Sequence, residues 1–94
     1  MYDITKYSNP KKVLHNAIKY FGNDVELRLS THKNKKYMIY DTENNKWVHF
    51  GYATMEDYTK HNDDERRRLF RLRNHKWADA DEYTPAFLSY YLLW

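Results

Sequence analysis

Lys35-Lys36-Tyr37-Met38-Ile39-Tyr40-Asp41 and Lys46-Trp47-Val48-His49-Phe50-Gly51, joined by Thr42-Glu43-Asn44-Asn45, decide the fold of this 94-residue chain. Aromatic and β-branched residues dominate both runs, as strands require. The joining residues are turn formers, and Asn tolerates the left-handed backbone that tight turns need. Strands are therefore predicted over 36–41 and 46–50, paired as a hairpin with rings on both faces, and Gly51 reads as the break. Upstream, Val25, Leu27 and Leu29 alternate with Glu26, Arg28 and Ser30, a period of two that predicts a half-buried strand. His32-Lys33-Asn34-Lys35 is a polar turn, so the three strands form an antiparallel meander.

Helices flank this sheet. Asn9-Pro10 is a helix start, Asn capping and Pro at the first helical position. Val13, Leu14, Ala17, Ile18 and Phe21 repeat at helical spacing, and Gly22 stands where a C-terminal cap belongs. A helix is predicted over 10–21, with Lys11, Lys12, His15, Asn16 and Lys19 outside. Thr54 followed by Asp57 resembles a capping box for a short helix over 55–61. A longer helix is predicted over 63–76, with Leu69, Leu72 and Phe70 inward and Arg67, Arg71 and His75 on an exposed stripe. Thr84-Pro85 opens a last helix that is apolar nearly all round to Trp94 and so should be buried. The expected fold is α+β: an N-terminal helix, a three-stranded antiparallel sheet and C-terminal helices, in one domain over 1–94.

Composition narrows the function classes. Ten Tyr, three Trp and four Phe supply large buried areas to a short chain. There is no cysteine, which excludes disulfides and thiolate metal sites and fits a reducing compartment. No apolar run approaches a membrane span, and the start lacks a signal-peptide core. A soluble intracellular protein without membrane contact is expected. The net charge of +3 is small, but it is unevenly spread. Lysines crowd residues 1–22, acids crowd 52–65, and five arginines with Lys76 fill 66–77.

No reactive constellation emerges. The five histidines lie far apart, none in a His-x-x-x-His pair, so no metal is expected; His15 and His32 read as solvated and His49 as projecting from the sheet. There is no nucleophile elbow, and two glycines cannot build a phosphate loop. Asp41, Glu43 and Lys46 loosely resemble an acid–lysine pattern, but in a turn such charges are usually solvated. No cofactor and no enzymatic activity are expected. The arginines are the stronger signal. Arg66, Arg67, Arg68, Arg71 and Arg73, with Lys33, Lys35, Lys36 and Lys46, could neutralise phosphates. Asp63, Asp64 and Glu65 just before them could instead make this an ordinary salt-bridged helix. The rings divide similarly: Tyr37, Tyr40, Trp47, Phe50 and Tyr52 form either a base-stacking platform or a core. Trp47 and Phe50 read as core, while Tyr40 and His49 suit an exposed face. Tyr90, Tyr91 and Trp94 are either core or a docking edge for a protein.

Several stretches carry a family resemblance: Asn9-Pro10-Lys11-Lys12-Val13-Leu14, Lys36–Asp41, Lys46–Gly51, Glu56-Asp57-Tyr58-Thr59-Lys60-His61, Arg71–Trp77 and Tyr83–Trp94. Together they resemble a small protein family encoded by large nucleocytoplasmic DNA viruses and their relatives. The resemblance implies viral origin, in the cytoplasm or nucleus of a host cell or in the virion, and brings no catalytic residues. Two roles are expected. One is a nucleic-acid-binding accessory protein of low sequence specificity, acting through the arginine helix. The other is a structural particle component, a minor capsid or cement protein, docking virion neighbours through its aromatic surface and the Tyr90–Trp94 edge.

Overall fold

The computed structural model describes residues 2–94. The chain is α+β, a three-stranded antiparallel sheet with helices against one face. Helix α1 spans Pro10–Phe21; strands β1, β2 and β3 span Leu27–Leu29, Lys35–Asp41 and Lys46–Tyr52. Helices α2 (Tyr58–His61) and α3 (Asp64–Arg73), a 3-10 turn at His75–Asp79, and α4 (Pro85–Leu88) with a π turn at Ser89–Leu93 complete the order.

Helix α1 begins and ends where its caps predict. The Asn9 side chain accepts from the Lys12 amide, and Gly22, at φ +92°, donates its amide to the Ile18 carbonyl. Val13 and Ala17 are buried, but Leu14 is exposed, so the packed seam is narrower than the apolar pattern. In the sheet, order β1-β2-β3, Tyr37 faces Phe50 and Ile39 lies between Leu27 and Val48. These residues meet Val13, Ala17, Leu88, Leu92 and Leu93 in one core. Burying each Val, Leu, Ile or Phe side chain there contributes roughly 1.5–3 kcal/mol.

Alternation sends Arg28, Met38, Tyr40, Trp47 and His49 to the other, helix-free face. Trp47 therefore does not join the core with Phe50; it is half-buried on the open face. Strand β1 is short, and Leu29 at its end is 56% exposed rather than packed. Asn45, at φ 54°, takes the left-handed place in the hairpin turn. Asp41 is buried there, not solvated, and accepts from the Glu43 and Asn44 amides and from Asn44 Nδ2.

Gly51 does not break β3 but lies inside it, at φ +82°. A Cβ there would come within 2.9 Å of Leu93 Cδ1. Strand and C-terminal turn meet at a point where only glycine fits.

The capping box at Thr54 does not form. Asp57 caps α2, but its carboxylate turns into the interior, where it accepts from Lys36 Nζ at 3.1 Å and from Thr59 Oγ1. Tyr37 donates to Ser8 Oγ at 2.7 Å, and Ser8 meets Thr59 at 3.2 Å. Thr59 spends its own proton on Asp57, so Ser8 donates to it, and the chain runs Tyr37 to Ser8 to Thr59 to Asp57. Buried polar groups persist only when paired in this way. Burial lowers the Lys36 pKa against the opposing Asp57 charge, and burial raises that of Tyr37.

Candidate nucleic-acid interface

Helix α3 faces the molecule with an unexpected side. Leu69 and Leu72 point outward, 40% and 61% exposed, while Arg67, Phe70, Arg71 and Asn74 turn inward. The cause is the C-terminal segment beneath. Phe70 stacks on Trp94 with ring centres 4.2 Å apart and planes within 6°. That contact fixes the helix rotation and carries Arg67 and Arg71 with it. Arg67 Nε donates to the Trp94 carbonyl at 2.7 Å, and its guanidinium lies 4.6 Å from the Tyr58 ring centre. Arg71 lies 4.9 Å from the Tyr90 ring centre, and its buried Nε has no hydrogen-bond partner. Rings accept guanidinium planes on their negative faces. The helix also ends at Arg73, short of 76, because Asn74 leaves helical geometry and its Nδ2 donates to the Phe70 carbonyl.

Across from these arginines stands α1. Its outer side supplies Lys11, Lys12, His15 and Lys19 to the same groove, a space of about 510 Å³. Tyr20, Tyr58, Tyr91 and Trp94 line it as well, and no Asp or Glu does. Five permanent cations, Lys11, Lys12, Lys19, Arg67 and Arg71, thus converge from helices some fifty residues apart in sequence. Two bonds hold the groove's shape: Asn16 Nδ2 donates to the Leu92 carbonyl at 2.9 Å, and Lys12 Nζ to Asn62 Oδ1 at 2.9 Å.

The remaining predicted residues scatter. Arg66 lies 3.7 Å from Glu56, and Arg68 is held bidentately by Glu65 at 2.6 and 3.1 Å. Arg73 is exposed and makes no ion pair among the described residues. Lys33 is exposed in the β1–β2 turn, and Lys35 is half-buried beside an apolar pocket of about 320 Å³. Lys36, 3% exposed and bonded to Asp57, has no access to a phosphate. Lys46 stands among Asp41, Glu43, Asp81 and Glu82, a setting that repels anions. Tyr90, Tyr91 and Trp94 are half-buried and packed inward; Tyr91 donates to the Ala78 carbonyl at 2.9 Å. The α1 lysines are the residues that sequence reasoning left out. The spacing of seven between Lys12 and Lys19 was visible, but nothing in the sequence places α1 beside α3.

No cluster of three or more metal-ligating side chains occurs among the described residues, and no helix there is long and apolar enough to cross a membrane. Fold and groove define a small α+β domain with a cationic, ring-lined cleft. Residues 25–74 match the model of a family of unknown function (DUF5754), and the chain belongs to that family. No curated protein and no solved structure matches it. The matched segment holds the sheet, Arg67 and Arg71, while the α1 wall of the groove lies outside it.

Proposed function

We propose that this chain is a virus-encoded, non-enzymatic accessory protein that binds nucleic acid through the groove between α1 and α3. The observation that supports it is the convergence of five cations in a groove that no Asp or Glu side chain lines, in a molecule of net charge only +3. Lysines supply point charges, and the ring-backed arginines supply planar ones. Contacts to phosphate fix position and read no sequence, so low specificity follows.

Fluorescence anisotropy of a labelled oligonucleotide tests this across salt from about 25 to 200 mM. Four or five phosphate contacts predict roughly a hundredfold loss of affinity between 50 and 200 mM. Exchanging Lys11 and Lys19 for Ala flattens that dependence without touching the core. Absence of binding at the lowest salt would sink the proposal.

The outward leucines of α3 favour a second reading. Leu69 and Leu72 offer an apolar spot for a protein neighbour in the particle, in place of the inward-packed Tyr90–Trp94 edge. On that reading Leu72→Glu blocks incorporation into particles and leaves oligonucleotide binding unchanged.

A further inference from the structure

The open face of the sheet lies on the far side of β1–β3 from the groove. Tyr40 and Trp47 are cross-strand partners there, with ring centres 5.3 Å apart and planes at 70°. The Arg28 guanidinium lies 5.4 Å from the Trp47 ring centre. One step along β3, His49 stacks on His32 of the β1–β2 turn, centres 3.4 Å apart, and meets Ser30 Oγ through Nδ1 at 2.7 Å. No helix covers these rings. Cross-strand rings do stabilise small sheets. That role alone does not call for a guanidinium over the indole, or for a second stacked pair beside it.

We propose that this face is a second binding surface, taking the unpaired bases of a single-stranded nucleic acid on Trp47, Tyr40 and the His32–His49 stack. The identity of the ligand rests on the nucleic-acid reading above; the surface itself does not involve the groove. Rings accept any base because every base has a π face, and duplex bases, already stacked, cannot use them. Charge agrees with the occupant. Arg28 edges the rings with a cation, and Glu26, 3.7 Å away, is its one ion-pair partner among the described residues. Arg28 is well placed to stack on a base or hold a phosphate.

The test uses the whole chain, an oligothymidylate of about 10 nucleotides and a duplex of equal length. Tryptophan emission should be quenched by the single strand. The part of the quench that the single strand causes beyond the duplex should vanish in Trp47→Phe, since Trp94 lines the groove that both ligands share and Trp77 lies in the helical layer. Trp47→Ala should weaken single-strand binding roughly five- to a hundredfold and leave duplex binding unchanged. Tyr40→Ala serves the same purpose if Trp47→Ala does not fold. Lys11→Ala with Lys19→Ala should weaken both ligands. Single-strand binding that is unaltered in folded Trp47→Ala and Tyr40→Ala overturns this inference and spares the groove. Failure of the parent protein to bind either ligand overturns both.

Discussion

Helices α1 and α3 solve the same packing problem in opposite ways. In α1 the apolar side goes in and lysines go out; Val13 and Ala17 have no exposed surface. In α3 no residue is fully buried, two leucines face water, and two arginines face the protein. The difference lies in what each helix meets. Helix α1 rests on an aliphatic and aromatic core, which rewards any apolar side chain. Helix α3 rests on Tyr58, Tyr90 and Trp94, whose faces take a phenyl ring or a guanidinium plane better than a branched alkyl group. One phenylalanine, stacked on a terminal indole, outweighs two leucines in setting the rotation. Apolar periodicity thus locates a helix's inner face only when the neighbouring surface is equally indifferent to geometry.

Four outcomes would break or sharpen this contrast. Val13→Asp places an unpaired charge in the core and costs several kcal/mol, enough to leave the domain largely unfolded by circular dichroism. Arg67→Ala should cost about 1–3 kcal/mol in a urea melt, because it strips a charged donor from the Trp94 carbonyl. A neutral result there would mean that the arginines only decorate α3.

Acidification should weaken the α3 side next. His61, whose ring centre lies 5.1 Å from that of Trp94, accepts the Asp63 amide at Nδ1. Burial first, and then the Arg66 charge, lowers the pKa of its ring below that of ordinary imidazole. Its folded pKa is therefore lower than its unfolded one. Between the two the unfolded chain binds more protons, so stability falls as pH drops from about 6.5 towards the lowered folded value. The melting temperature should decline over that interval, and His61→Asn should reduce the decline. Last, Leu72→Ala should change stability by no more than about 0.5 kcal/mol. A loss of 2 kcal/mol or more would show that the leucine, not the arginine, is the packed group.

The sequence made most of the fold legible where local chemistry and tertiary need coincide. Asn9-Pro10 and Thr84-Pro85 mark real helix starts, Thr84 accepting from the Phe87 amide. The hairpin over Lys35–Tyr52 follows from its alternation and its Asn-rich turn. Gly51 misled because glycine usually ends a strand; here it continues one, since Leu93 presses against it from the far end of the chain. The same limit governs the groove. Arg67 and Arg71 were readable as candidates, and the lysine-rich start was readable as a charge block. Their meeting depends on Asn16 reaching Leu92 and on Phe70 stacking on Trp94, contacts that no local pattern encodes. Lys36 and Lys46 were misplaced for a related reason: charge in the sequence does not reveal whether an acid waits beside it.

The hydrogen-bonded line from Tyr37 through Ser8 and Thr59 to Asp57 has a consequence for how the molecule is made. Ser8 and Thr59 are 51 residues apart in the chain. At ordinary rates of synthesis their partnership must wait about 3–10 s after Ser8 is added. Val13 and Ala17 wait longer still for Leu88, Leu92 and Leu93, which follow them by more than seventy residues. Helix α1 therefore leaves the ribosome well before the segment that completes the cover of its apolar side, and that side stays partly exposed until Leu93 has been added.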